Sequence, residues 1–299
     1  MNFSSHERGI VMSHTGIWQL IKASVVSWRK DYASSMGGAL AYYTLFSIAP
    51  VLIIVIAVAG FFLGAEAARG EIVTQLQGLL GKDGATAVQA LLESTSEPEE
   101  GLLATITSVL LLLVGATTVF AELQSDLDRI WRAESKPIGG VWALLRAGIL
   151  SFGMILVLAF LLLVSLVISA ALSALGKWWG GWFEGWAVLL EILNFVVAFA
   201  ITTGLFALIY KLLPRVDIAW HDVWIGATVT ALLFAVGKFL IGLYIGQSGV
   251  ASGFGAAGSF VVLLVWVYYS TQIFLLGAEF TWVYAHERGS RRGQDRPGA

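Results

Sequence analysis

Six side chains set in otherwise apolar runs are the candidates for chemistry: Lys238, Glu191, Asn194, Glu279, Gln272 and Glu122. An ionisable group at membrane depth is expensive and ordinarily faces the interior of a helix bundle, where it lines an ion or substrate pathway or clasps two helices. Covalent and metal chemistry have no comparable support. The chain has no cysteine, and its four histidines, His6, His14, His221 and His286, are scattered, so the clustered His and carboxylate ligands of a metal-dependent nuclease are not expected. A P-loop, a Gly-x-Ser-x-Gly elbow and a His-Glu-x-x-His zinc motif are missing as well. The sequence therefore predicts no catalytic residues, no cofactor and no metal.

The elements that must position these groups follow from composition. Of 299 residues, 58% are hydrophobic and 13% charged, about half the ~25% charged share of soluble domains. Six runs are long enough to cross a bilayer as helices, at about Met36 to Leu63, Leu102 to Glu122, Ala147 to Leu175, Trp186 to Leu213, Asp222 to Gly246 and Gly255 to Ala285. Period-two alternation is absent and each run is long, which favours helices over barrel strands. The expected fold is an all-α, polytopic membrane bundle of six transmembrane helices.

Charge sets its orientation. Fourteen of the 18 Lys and Arg residues flank one set of span ends, Arg8 to Lys30, Arg129 to Arg146, Lys211 with Arg215, and Arg288 to Arg296, against Arg69, Lys82 and Lys177 on the other. Positive charge is retained inside, so both termini are expected in the cytoplasm. Tryptophans agree, since Trp131, Trp142, Trp178, Trp179, Trp182, Trp186, Trp220 and Trp224 gather at span ends and Trp266 alone is expected deep. With a net charge of −2 there is no basic surplus to attract nucleic acid.

Depth along each helix, at ~1.5 Å per residue, groups the polar residues. Lys238 lies ~12 Å from the outer end of span five, and Glu191 and Asn194 roughly 8 and 12 Å down span four. The expectation is that Lys238 meets Glu191, with Asn194 beside them, as a clasp or a path; the alternative is a lysine that snorkels to the surface. Glu279 and Glu122 belong to the inner level, where they are expected to join Gln272 and Asp31 with Arg29, Arg129 or Lys211 as counter-charge. Pro50 removes a backbone donor in the middle of span one, with Ser47 one turn earlier, and is a candidate hinge or a static kink. Gly255 and Gly258, in a charge-free glycine-rich link, are candidate hinges, and the link is read as a flexible outer turn or as a broken helix whose exposed amides at the start of span six face an anionic headgroup. Gly60 with Gly64, and Gly242 with Gly246, have the spacing of close helix contacts.

Residues 1–30 are expected to form a cytoplasmic tail, with no cleavable leader, and an interfacial amphipathic helix bearing Ile17, Trp18, Leu20, Ile21, Val25 and Trp28 on one side. Residues 31–285 form the membrane domain. Within it, 64–101 is an acidic extracytoplasmic connection expected as two short helices broken at Gly81 to Gly84, a solvated cap or a lid. Residues 286–299 are expected to be a disordered basic tail that meets anionic lipid or serves topology alone.

Read in order, Ala39-Leu40-Ala41-Tyr42-Tyr43, Phe46-Ser47-Ile48-Ala49-Pro50, Arg129-Ile130-Trp131, Tyr210-Lys211-Leu212-Leu213-Pro214, Gly226-Ala227, Gly237-Lys238-Phe239, Gly255-Ala256-Ala257-Gly258-Ser259, Trp266-Val267-Tyr268 and Gly277-Ala278-Glu279 resemble the YihY/BrkB family of bacterial inner-membrane proteins. The resemblance covers about Asp31 to Ala285, with Asp128 where an asparagine is the family pattern. It implies six spans, the bacterial inner membrane, a role in envelope integrity, and an old label, ribonuclease BN, carried by misassignment. The expected function is translocation or export of a lipid-linked or amphipathic substrate. The alternative is a scaffold with no pathway. Membrane lipids, including an anionic or lipid-linked substrate, are the expected partners, and oligomerisation is left open.

Overall fold

A computed structural model describes residues 16–95, 102–133, 186–248, 253–254 and 257–293, with scattered positions between 148 and 168. Among the described residues there is no strand. The helices are α1 (Ile17–Lys30), α2 (Ala33–Leu63), α3 (Ala65–Thr95), α4 (Leu102–Ile130), α5 (Trp186–Leu212), α6 (Trp220–Ser248) and α7 (Gly258–Glu287). Four stretches, Ala33–Phe61, Val188–Leu212, Trp220–Ile245 and Gly258–Glu287, are long and apolar enough to cross a membrane. They fall on the first, fourth, fifth and sixth expected spans. The second expected span falls on α4, and the third lies mostly outside the described residues, as do Gly255 and the tail beyond residue 293.

The core is organised around α7, which packs against α1, α2, α3 and α6, while α4 packs on α2 and α5 on α6. Small residues make the contact between α6 and α7. A Cβ on Gly226 would collide with the side chain of Thr281, and one on Gly277 would collide with Thr230 and Tyr210. Two small-xxx-small patterns, Gly226 with Thr230 and Gly277 with Thr281, thus face each other and let the backbones approach closely. Each threonine returns its hydroxyl to a carbonyl one turn back, Thr230 to Gly226 at 2.8 Å and Thr281 to Gly277 at 2.7 Å. Gly242, one of the expected contact glycines, has open space around it, and Gly60 abuts Ala65 at the α2–α3 turn.

Pro50 does not interrupt α2, which runs on to Leu63. Its ring instead fills the space left by Gly115 on α4, where an added Cβ would lie 3.0 Å from the proline Cγ. Gly64, at φ 87°, ends α2 in a conformation that favours glycine and turns the chain into α3.

The expected break at Gly81 to Gly84 is absent, because α3 is one helical segment of 31 residues. Glycine costs about 1 kcal/mol in a helix relative to alanine. Burial of Ala68, Ile72, Leu80, Ala85, Val88 and Leu92 outweighs that local cost. Since α3 packs on α2 and α7, the described part of the acidic connection, residues 65–95, packs against the bundle. Helix α1 forms as expected and docks on α7, with Leu20 and Ser24 buried. It leaves Ile17, Trp18, Ile21 and Val25 exposed, a continuous apolar surface of the kind that lies in a lipid interface.

Candidate functional site

Four segments converge at one end of the bundle: the α1–α2 link, the end of α4, the α5–α6 link and the turn after α7. Each is tied to another by polar contacts. Arg132 meets Asp31 at 2.8 Å, and Gln124 donates to the Leu213 carbonyl at 2.7 Å. The Arg215 amide donates to Asp128 at 2.7 Å, and Ser290 donates through both its amide and its hydroxyl to Asp222. These are the segments that carry most of the flanking Lys and Arg, so the charge-rich connections do share one end.

Glu279 is the centre of this end. It is fully buried on α7, and both of its carboxyl oxygens are shut from solvent with no hydrogen bond in good geometry. The polar groups that act on it electrostatically are Ser27 on α1, Asp31 in the α1–α2 link and Arg132 after α4. Arg132 also lies over the Trp282 ring, 5.7 Å from its centroid, and donates to the Arg129 carbonyl at 2.9 Å. One cation therefore faces two buried carboxyl groups.

The backbone that presents this pair is strained on both sides. Tyr32 and Arg132 are the non-glycine residues with left-handed φ among those described, at 57° and 52°. Arg132 occupies the position after α4 where glycine is usual. The Ala133 amide reaches back to Asp128 and the Arg132 amide to Arg129, the paired bonds of a Schellman ending. Non-glycine residues held in this region cost of order 1 kcal/mol or more and cluster where geometry is imposed by function or by tertiary ties.

The expected inner cluster is therefore assembled in part. Glu279 and Asp31 come together, with Arg132 as counter-charge in place of Arg29, Arg129 or Lys211. Lys211 is committed elsewhere, to Asp217 at 3.1 Å and the Ile218 carbonyl at 2.8 Å. Gln272 sits two turns before Glu279 on α7, 3.5 Å from the Ala33 carbonyl and against Gly37. Glu122 stays on α4, half-buried, one turn from Asp126.

The expected outer pair is not formed. Lys238 and Glu191 are both exposed, on α6 and α5, and no ion pair joins them; Asn194 is exposed as well. Equal depth places them at one level, but they lie on outward surfaces, away from the packed interior. Gly258 is buried at the start of α7.

A second buried polar network, outside the expected set, centres on Tyr210. The Tyr210 hydroxyl lies 2.8 Å from the Phe274 carbonyl and 3.0 Å from Thr230, locking α5, α6 and α7 together. The signal available was a tyrosine followed by Lys211 at the end of an apolar run.

Asp126, beyond the expected end of span two, is also buried. Burial first, and then the neighbouring Glu122 charge, push its carboxyl from 3.8 up to about 7, with Arg129 acting the other way. The folded chain keeps a proton that the unfolded chain releases, so stability falls as pH rises from about 4 to about 7 and then levels. Asp126→Asn escapes that loss. Its melting temperature in detergent, relative to the unmodified chain, is expected to be higher at pH 8 than at pH 5; an equal difference at both would mean that Asp126 is ionised in the fold.

Among the described residues no group of three His, Cys, Asp or Glu side chains is placed to hold a metal ion.

A family model described as Virulence factor BrkB matches residues 25–299. A UPF0761 membrane protein of Psychromonas ingrahamii is 27% identical over 262 residues, 85% of this chain and 84% of the relative. One from Tolumonas auensis is 39% identical over 94 residues, 31% of this chain and 30% of the relative. One from Pseudomonas aeruginosa is 26% identical over 249 residues, 83% of this chain, which spans 58% of that longer protein. No solved structure matches. With nearly its whole length matched and its described structure a bundle of apolar helices, the chain is a membrane protein of the Virulence factor BrkB family.

Proposed function

We propose that the protein translocates or exports a lipid-linked or amphipathic substrate in a bacterial inner membrane, in support of envelope integrity, with its basic end and both termini in the cytoplasm. The Glu279 cluster is the inner gate of that path. The observation that carries this reading is Glu279 itself: a fully buried carboxyl group on α7 that shares the single cation Arg132 with Asp31. A purely structural position gains nothing from such a group, because two buried carboxyl groups against one cation are under-compensated and an apolar residue would pack there without that cost. A group retained there is one that exchanges partners during a cycle.

The alternative is a scaffold without a pathway. It is favoured by the number of ties at the basic end that are wholly internal, Asp31 with Arg132, Gln124 with Leu213 and Asp222 with Ser290.

The two are separated by reconstituting the purified chain into vesicles that carry a fluorescently labelled lipid in one leaflet. The translocator reading expects movement across the bilayer above that of empty vesicles and at least a tenfold loss in Glu279→Gln, with the melting temperature little changed. No movement by the unmodified chain, together with normal growth under envelope stress of cells carrying Glu279→Leu, would establish the scaffold.

A further inference from the structure

The basic end carries a second feature that the proposed pathway does not use. An open cleft of about 490 Å³ lies between the α5–α6 link and the turn after α7, lined by Lys211, Asp217, Ile218, Ala219, Ser290 and Arg291. We propose that this cleft seats the phosphate of an anionic phospholipid from the adjoining leaflet.

Two cations are held in place before any ligand arrives. The Lys211 ammonium is fixed by the Ile218 carbonyl at 2.8 Å and lies 5.8 Å from the Trp220 ring centroid. Arg291 donates to the Asp217 carbonyl at 2.6 Å and stacks over Trp131 at 5.3 Å. Ordering two long side chains is a large part of the cost of binding an anion, and here it is already met by contacts within the fold. The Ala219 carbonyl accepts the first hydrogen bonds of α6, so the positive end of that helix's dipole adjoins the cleft.

The anion now facing Lys211 is a weak holder. Asp217 pairs with it at 3.1 Å, but the aspartate side chain is fully exposed, at 103%. An exposed ion pair contributes little and is readily displaced. A phosphate offers more acceptor oxygens to a lysine and an arginine together.

Position favours a lipid over a soluble phosphate. Leu212, Trp220 and Trp224 are exposed beside the cleft, at 47%, 47% and 49%. Exposed tryptophans at a helix end mark the headgroup level, and the leucine continues the apolar surface on which acyl chains would lie.

The test is native mass spectrometry of the full chain in neutral detergent, titrated with phosphatidylglycerol, with phosphatidylcholine of the same acyl chains, and with inorganic phosphate. Phosphatidylglycerol is expected to bind in preference to phosphatidylcholine. Lys211→Met and Arg291→Met should each weaken it about fivefold, the contribution of one basic residue at an anionic surface. Asp217→Asn should tighten it, because the competing carboxylate is gone while the backbone carbonyl that holds Arg291 remains. That gain cannot arise from a misfolded chain. Equal binding of the two lipids, or no tightening in Asp217→Asn, would overturn the proposal, and so would inorganic phosphate binding as tightly as the lipid with the same response to the variants.

Discussion

Leucine in place of Gly277 is expected to abolish recovery of folded protein, while leucine in place of Gly242 leaves it unchanged. Even the first carbon of a side chain at Gly277 would enter the space of Thr230 and of the Tyr210 hydroxyl. Neither neighbour can yield cheaply. Thr230 is bonded to the Gly226 carbonyl, and Tyr210 to Phe274 and Thr230. Overpacking a tight contact costs about 1–3 kcal/mol, and each buried polar group thereby left unbonded adds about 1–3 kcal/mol. The sum is comparable with the ~5–15 kcal/mol that holds a typical domain together. Gly242 has nothing within contact distance of the same carbon. The measurement is the monodisperse fraction on size exclusion in detergent, and equal recovery of the two variants would mean that α6 and α7 do not meet through Gly277.

The second large effect is expected at Arg132. Replacing it by alanine leaves Asp31 and Glu279 facing each other with no cation between them. Removal of one member of a buried ion pair costs about 3–5 kcal/mol, and the partial exposure of the Arg132 side chain, 29%, places the expected cost nearer about 2 kcal/mol. Arg132→Gly separates charge from backbone, since glycine accepts the left-handed φ of 52° without strain. It should be the more stable of the two variants while still falling below the unmodified chain. Adding Asp31→Asn to Arg132→Ala should recover most of the loss, because the orphaned charge is then gone. Strict additivity of the two changes in thermal melting would mean that the pair is not coupled.

Sequence reading served best where one coordinate was enough. An apolar run of sufficient length is a local property, and α2, α5, α6 and α7 follow from it. Depth along a helix is local too, which is why Asp31 and Glu279 could be assigned to one level. Direction around the helix axis is not local. Lys238 and Glu191 share a depth, yet each lies on an outward surface, because the rotation of α5 and α6 is set by how they pack on each other and on α7. The same blindness explains Arg132. Which of several cations at one end reaches Asp31 depends on how α4 ends, and the left-handed turn that aims it is imposed by tertiary contact against the residue's own preference. Gly226 with Thr230 and Gly277 with Thr281 had the right spacing throughout, as did Gly242 with Gly246; spacing alone does not say which of these faces a neighbour. In α3 the local glycine signal was real but was outweighed by a buried stripe whose partners lie on other helices.

Because α7 follows every helix it organises, the order of synthesis works against the order of assembly. Helices α1, α2, α3 and α6 are made before the surface they pack on exists, and Asp31 is made before Glu279. A nascent chain at that stage exposes surface that α7 later covers, the condition in which incomplete folds misassemble. A chain that stops before Gly258 therefore lacks the helix against which α1, α2, α3 and α6 pack.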